Sequence, residues 1–196
     1  MTAESAARLA ASVETLHNAS LIQDDLQDRD ELRRGKTAIW KQFGPDIAIN
    51  ATDLLIATAF ELAASASSGS AHRLVSTMSR AIARTLQGQT KDLDAGRDLN
   101  VDQAIAVAKE KSGPLFSLSL ELPLLLSGHF YFLSMAREAG AAFGIGYQIF
   151  DDMHDCTRDR ESGNLANLAL LARSSGDSEL LSMESAEDLA HHYLQE

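Results

Sequence analysis

Apolar residues recur at spacings of three and four along almost the whole chain, and the alternation typical of strands is hard to find. Such spacing gathers apolar side chains on one helix face and predicts a succession of helices. We expect long helices over residues 3–28, 45–66, 71–93 and 131–156, and shorter ones over residues 102–110 and 114–126. Without repeats, low-complexity tracts or linkers, the pattern predicts one all-α domain over residues 1–196.

Glycine, proline and short polar residues indicate where these helices start and stop. Gly35 can adopt the positive φ that ends a helix, so we expect it to stop the first one. Pro45 is tolerated in the first turn of the second, and Asp102 is a suitable N-cap. The sequence Ser-Gly-Pro at residues 112–114 predicts a break. A polar break at residues 157–163 should precede two shorter terminal helices.

The charge balance narrows the possible partners. Of 196 residues, 28 are Asp or Glu and 17 are Lys or Arg, which gives a formal charge of -11. That charge disfavours nucleic acid and anionic membrane surfaces but suits divalent cations. The single cysteine, Cys156, requires no oxidising compartment. No signal peptide is visible, and the longest apolar stretch, residues 114–126, is too short to span a bilayer. We therefore expect a cytoplasmic protein without a membrane span.

Two aspartate clusters follow apolar segments of predicted helices. Residues 24–28 read Asp-Asp-Leu-Gln-Asp, and residues 151–155 read Asp-Asp-Met-His-Asp. Because residues four apart share a helix face, Asp24 pairs with Asp28 and Asp151 with Asp155. Either cluster alone is equally compatible with a solvated helix end. Carboxylates at a helix C-terminus oppose the macrodipole, however, and a bound cation offsets that cost.

Magnesium is the cation that this donor set favours, since it prefers hard oxygen ligands completed by waters and substrate phosphates. We expect the two clusters to face each other and to form a metal-lined mouth over an apolar cavity. The predicted metal-binding residues are Asp24, Asp25, Asp28, Asp151, Asp152 and Asp155.

Basic residues accompany the clusters. Arg33 and Arg34 follow the first one, and adjacent guanidinium groups can bind diphosphate oxygens bidentately. Lys111 precedes the 112–114 break, where a discontinuity in the helix can direct its ammonium group inward. These cations predict a diphosphate site.

Four segments, in order, resemble the motifs of the trans-polyprenyl diphosphate synthases, a family that includes geranylgeranyl and farnesyl diphosphate synthases. The first is residues 16–28 with the Arg-Arg-Gly-Lys of residues 33–36. The second is Gly88-Gln89 with Asp92-Leu93, the third is Lys111-Ser112-Gly113, and the fourth is residues 147–155. Four motifs spread over residues 12–160 make the resemblance specific.

The resemblance implies an isoprenoid synthase-type helical bundle around a central cavity. It also implies a transferase that ionises an allylic prenyl diphosphate with three magnesium ions and joins it to isopentenyl diphosphate. By motif position, Asp24 and Asp28 would hold two ions and Asp151 the third, with the other cluster aspartates in support. Arg33 and Lys111 would bind the allylic diphosphate, Arg34 would face isopentenyl diphosphate, and Gln148 would line the reacting end. Family members are commonly homodimers, and the apolar helix at residues 115–126 could supply an interface.

Residues one or two turns from the clusters bear on the length of the prenyl product. Ala19 and Ser20 are small where short-chain members carry aromatics. No bulky side chain on the first helix would therefore stop a growing prenyl tail close to the aspartates. Phe143, Tyr147 and Asp151 share one helix face, which would place aromatic walls below the metals. Core packing explains those two aromatics equally well. A C15 to C20 or longer product is the resulting expectation.

The chain also departs from the family pattern, being shortened at its N-terminus and after the second aspartate-rich motif. The upstream Gly-Lys-Arg-x-Arg motif is missing, and Gly163 is followed by Asn164 where the family has a lysine. Each lost charge-assisted contact to a diphosphate costs about 1.5–3 kcal/mol. Four readings stay open: an impaired condensing enzyme, a terpene-synthase-like protein that ionises a prenyl diphosphate alone, a non-catalytic partner of a full-length synthase, or a fragment with exposed apolar surface.

Overall fold

The computed structural model describes residues 1–94, 100–162, 167 and 171, with side chains of the long terminal helix described as far as Met153. The chain divides into two compact units. The first comprises Met1–Met78 and Leu125–Gly128, and the second comprises Ser79–Leu124 and His129–Glu196. The single domain stays a prediction, and each unit is described by itself.

Helices dominate the first unit. It contains α1 (Ala3–Asp28), α2 (Ile39–Phe43), α3 (Pro45–Ser65) and the start of α4 (Ala71–Asp94). Small residues line the packed faces of α1 and α3: the Ser12 hydroxyl donates to the Ala59 carbonyl at 2.7 Å. On α3 the buried positions are Ala48, Thr52, Ala59 and Ala63. Their helical spacing explains why this helix packs along α1.

A two-stranded hairpin follows α1. Strands β1 (Leu32–Arg33) and β2 (Lys36–Thr37) are joined by Arg34 at φ 51° and Gly35 at φ 75°. Positive φ at both central residues is the geometry that suits a two-residue hairpin turn. The predicted end of α1 at Asp28 is confirmed, and Gly35 has the expected positive φ, but Gly35 turns the hairpin, whereas Arg29, at φ 61°, caps the helix. The hairpin was not predicted, because two-residue strands are too short to show alternation.

The second unit holds the rest of α4, α5 (Val101–Lys111), most of α6 (Gly113–Ser127), a 3-10 turn (Phe130–Phe132) and α7 (Leu133–Ser162). A small apolar core joins α5, α7 and one later residue. Its members are Ala104, Ala108, Ile145, Ile149 and Leu171.

Glycines let helices of this unit cross closely. A Cβ added at Gly88 of α4 would lie 2.7 Å from the Cα of Lys111, and one at Gly140 of α7 would lie 2.6 Å from the Cα of Ser117. Gly144 meets the backbone nitrogen of Gly113 in the same way, at 2.6 Å. Backbone therefore contacts backbone at each crossing, and a single added methyl group would force the two helices apart.

Most predicted helix positions are confirmed, with two exceptions. Asn100, not Asp102, caps α5: its side chain accepts from the Gln103 amide, and the Gln103 side chain accepts in return from the Asn100 amide. The predicted break at residues 157–163 is also wrong as far as Ser162, where α7 ends. Arg and Glu are good helix formers, and no glycine or proline interrupts that stretch before Gly163. The two shorter terminal helices lie outside the described residues.

Among the described helices, α3 alone is long and apolar enough to cross a membrane by length and composition. A helix packed in a protein core meets the same criteria; α3 packs one face against α1, but only 22% of its apolar stretch is buried.

Replacing Gly88 by alanine should destabilise the protein. The added methyl group would clash with backbone at Lys111, and overpacking of this kind costs about 1–3 kcal/mol. That exceeds the roughly 0.5–1 kcal/mol that alanine gains over glycine in a helix. Urea denaturation measures the change. Gly69→Ala is the matched control, because open space surrounds Gly69; equal stability of the two variants would contradict the close crossing.

Candidate functional site

The first aspartate cluster occupies the last turn of α1. Asp24 is half-buried, Asp28 is exposed, and Asp25 between them is only 4% exposed. Arg33 on the hairpin donates from Nε to Oδ1 of Asp25 at 2.7 Å, and its Nη2 contacts the same oxygen. Asp25 therefore has an internal cationic partner, which offsets the cost of burying its carboxylate.

The same contact further stabilises the charged form of Arg33, which is protonated at physiological pH in any case. Partial burial acts to lower the pKa of Arg33, but the hydrogen bond to Asp25 and the charges of Asp25, Asp24 and Asp30 outweigh it, so the pKa is raised. Arg33 is thus a permanently charged, oriented cation beside the cluster. Arg34, next to it, is exposed at the tip of the hairpin.

Trp40 anchors the loop that carries these arginines. Its indole Nε1 donates to the Asp30 carbonyl at 2.7 Å, and the Arg29 guanidinium lies 5.5 Å from the ring centroid. The Ala38 amide donates to the Glu31 carbonyl at 2.9 Å. These contacts tie both ends of the hairpin together, so the position of Arg33 over α1 is set by several independent interactions.

The second cluster lies within α7. Asp152 is 9% exposed, and its Oδ1 accepts from Nε2 of Gln148 at 2.8 Å. Asp151 is exposed. Asp155 lies in the helix, but its side chain is outside the described part. Since α7 continues to Ser162, the expectation that this cluster sits at a helix end is wrong, and the macrodipole argument applies only to the first cluster.

Both clusters share one arrangement. The second aspartate of each is buried and accepts from a side chain of its own unit: Asp25 from Arg33, and Asp152 from Gln148. The preceding aspartates, Asp24 and Asp151, are more exposed. Sequence analysis did not distinguish the buried aspartate of each cluster from its more exposed neighbour.

The donor set fits magnesium bound partly by substrate. Within the described side chains, no group of three or more Asp, Glu, His or Cys residues could hold an ion by itself. Magnesium is usually held by one or two carboxylates with waters and phosphates, rather than by an all-protein cage. Asp24 and Asp28, one turn apart on α1, provide such a partial set.

Lys111 and Asp92 connect two of the motif segments. Nζ of Lys111 donates to Oδ2 of Asp92 at 2.7 Å, with 19% and 31% of the side chains exposed. The crossing at Gly88 brings the end of α5 against α4 and makes this pair possible. Sequence reasoning did not identify Asp92 as the partner of Lys111. The available signal was that Asp92 lies one turn after Gly88, on the same face of the helix.

The predicted chain-length residues fall into two groups. On α1, Ala19 is buried and Ser20 is half-buried, with its hydroxyl donating to the His17 carbonyl at 2.8 Å. On α7, Phe143 and Tyr147 are about half exposed. Sequence reasoning missed Phe116, whose ring lies 4.6 Å from that of Phe143 and 5.6 Å from that of Tyr147. The three rings form an aromatic cluster on α6 and α7.

Comparison with known proteins gives consistent matches. Residues 1–165 match the polyprenyl synthetase family. The geranylgeranyl pyrophosphate synthase of Geoglobus acetivorans is 33% identical over 151 residues, which cover 74% of this chain and 47% of that protein. A chloroplastic geranylgeranyl pyrophosphate synthase of Arabidopsis thaliana is 32% identical over an alignment of 198 positions, gaps included, which covers 94% of this chain and 57% of that protein.

The fold agrees with a solved structure. The geranylgeranyl pyrophosphate synthetase of Geoglobus acetivorans matches with a TM-score of 0.79 and 27% identity, covering 98% of this chain and 70% of that one. The chain spans about half the length of the curated relatives it matches. Because the family match covers most of the sequence and the predicted all-α isoprenoid synthase fold is confirmed, this chain belongs to the polyprenyl synthetase family.

Proposed function

We propose that the protein is a magnesium-dependent prenyltransferase of the geranylgeranyl diphosphate synthase type, which condenses an allylic prenyl diphosphate with isopentenyl diphosphate. The observation that carries the proposal is the shared arrangement of the clusters, in which a buried aspartate is held internally beside a more exposed one. The names of the relatives support it.

In this reaction the allylic carbon–oxygen bond breaks and pyrophosphate departs. The double bond of isopentenyl diphosphate then forms a carbon–carbon bond to the allylic carbon, and loss of a proton completes the product. Magnesium held by Asp24, Asp28 and Asp151 would neutralise the charge that accumulates on the departing group. Three ions are expected from the family resemblance.

Basic side chains of the protein bind the diphosphate groups of the substrates. Arg33, oriented by Asp25, and Lys111, oriented by Asp92, bind the allylic diphosphate. Because they are held in place before substrate arrives, little reorganisation is needed as charge develops. Arg34 takes the diphosphate of isopentenyl diphosphate, and Gln148 lines the reacting end. Small residues at Ala19 and Ser20 favour a C15 to C20 or longer product.

One feature of the sequence favours a second candidate. The family's lysine is missing after Gly163, where Asn164 stands, and its loss weakens the site for the second diphosphate. Ionisation of a prenyl diphosphate without isopentenyl diphosphate, as in terpene synthases, tolerates that loss. A non-catalytic role beside a full-length synthase needs neither the aspartates nor the oriented cations.

We also propose a homodimer in the cytoplasm. The apolar helix suggested as an interface is partly used within the chain itself, since Leu118, Leu122 and Leu125 are buried. Leu120 on the same helix is 44% exposed.

Substrate dependence separates the candidates. With magnesium and farnesyl diphosphate, the protein should give an elongated product only when isopentenyl diphosphate is also present, as measured by chromatography of radiolabelled products. A hydrocarbon or alcohol formed from farnesyl diphosphate alone would support the second candidate. No turnover in either case, together with stoichiometric co-purification with a longer homologue, would support the partner role.

Neighbouring aspartates should respond differently to substitution. Asp24→Asn and Asp151→Asn should each lower kcat on the order of 10²–10³-fold with little change in stability, because they weaken stabilisation of the leaving group. Asp25→Asn, the matched neighbour, should cost about 1–3 kcal/mol in free energy of unfolding, because Arg33 loses its charged acceptor. Steady-state kinetics and urea denaturation measure the two effects; a reversed pattern would contradict the assignment.

Lys111→Met should weaken binding of a non-hydrolysable farnesyl diphosphate analogue on the order of 10- to 100-fold, because a charge-assisted contact is worth about 1.5–3 kcal/mol. Calorimetric titration in magnesium measures the affinity. The control is Lys91→Met, which removes an exposed pair with Glu110 elsewhere on α4 and α5. If both variants bind equally well, Lys111 has no role in diphosphate binding.

A further inference from the structure

Asn167 contacts the second aspartate cluster from beyond the end of α7. It is 2% exposed, and its Nδ2 donates to the backbone carbonyl of Asp152 at 2.6 Å. The two residues are fifteen positions apart in sequence. A buried amide that donates to the main chain of the cluster is a specific, non-local contact, and its loss would leave a buried polar group without that partner.

Leu171, the other described residue beyond α7, contacts Asn167. The Leu171 amide donates to the Asn167 carbonyl at 2.9 Å. The Leu171 side chain is buried in the core with Ala104, Ala108, Ile145 and Ile149. Leu171 thus supplies an apolar contact to this core, and Asn167 supplies the polar contact to the cluster.

These contacts fall on one side of α7. Ile145, Ile149 and Asp152 follow one another at spacings of four and three, which is one helix face. All three are buried. Phe143, Tyr147 and Asp151 follow one another at spacings of four on another face and are exposed. The buried face therefore sets the rotation of α7 and, with it, the direction in which Asp151 projects.

We propose that Asn167 is a positioning residue for the second aspartate cluster. By fixing the backbone of Asp152 it also fixes the carboxylate that orients Gln148, and it holds Asp151 in the orientation used to bind metal and diphosphate. The proposal deepens the proposed function, on which it rests, and concerns the region where the sequence departs from the family pattern. In that region the neutral amide of Asn167 positions the backbone of the cluster.

Metal affinity tests the proposal without turnover. The probe is Mn²⁺ titrated in the presence of inorganic pyrophosphate and followed by electron paramagnetic resonance. Asn167→Leu keeps the branched shape of the side chain and removes the donor, and it should weaken Mn²⁺ binding about 10-fold, as loss of an indirect support to a metal site does. Asn167→Ala should do the same, so the result does not depend on one variant folding well.

Leu171→Ala is the matched comparison, because it opens a cavity in the core that Leu171 shares with α7 and leaves the Asn167 donor in place. It should lower thermal stability, and it should weaken Mn²⁺ binding by less than the Asn167 variants do. Amide hydrogen exchange at residues 148–153 should accelerate more in Asn167→Leu than in Leu171→Ala. Unchanged Mn²⁺ affinity in both Asn167 variants, or an equal loss in Leu171→Ala, would overturn the proposal.

Failure of the proposed function gives a different pattern. A wild-type protein that turns over no prenyl diphosphate would contradict the prenyltransferase assignment. If the Asn167 variants still weakened Mn²⁺–pyrophosphate binding in that protein, the positioning role would stand by itself.

Discussion

Removing a carboxylate from water costs several kcal/mol unless donors replace the lost hydration. Asp25 and Asp152 both face this constraint, and each meets it with a donor from its own unit, a guanidinium for Asp25 and a carboxamide for Asp152. The local structure around each cluster follows from supplying that donor. The hairpin after α1 brings Arg33 back over the helix, and one turn of α7 brings Gln148 to Asp152.

The two adjacent aspartates of each cluster therefore have different chemical roles. In a helix, neighbouring side chains point about 100° apart, so a cluster of two consecutive aspartates cannot present both in the same direction. Burying the second one fixes the rotation of the helix and leaves the first to project elsewhere. In each pair the buried aspartate accepts an internal hydrogen bond, and the more exposed aspartate is the candidate metal ligand. Because the two are adjacent on one helix, burial of one restricts the direction in which the other can point.

Close helix crossings impose the other constraint on the second unit. At Gly88, Gly140 and Gly144 the absence of a side chain lets one backbone reach another. The first of these crossings brings α4 and the end of α5 together, so that Lys111 meets Asp92. The motif segments around Gly88 and Lys111 are therefore parts of one arrangement, in which the ion pair depends on the close crossing at the glycine.

The spacing of apolar residues, together with the positions of glycine, proline and short polar residues, was sufficient to predict the all-α class, the bounds of α1 and α3, and the break before α6. These features are local, because they depend on which residues fall on one face or break one turn. The aspartate clusters and their spacing were likewise readable, as was the family resemblance they carry. The short hairpin, the cap at Asn100 and the continuation of α7 to Ser162 were not predicted. The strands of the hairpin are too short to show alternation, whereas the other two had local signals: Gln103 three residues after Asn100, and good helix formers without glycine or proline up to Ser162.

Tertiary packing alone decided which member of each aspartate pair is buried, which cation meets which carboxylate, and where Phe116 and Asn167 make their contacts. The contacts of Lys111, Phe116 and Asn167 join residues at least fifteen positions apart, with strengths set by burial and by hydrogen-bond geometry. Neither quantity is a property of a residue type or of its neighbours in sequence; both arise only when helices pack and exclude water from particular side chains.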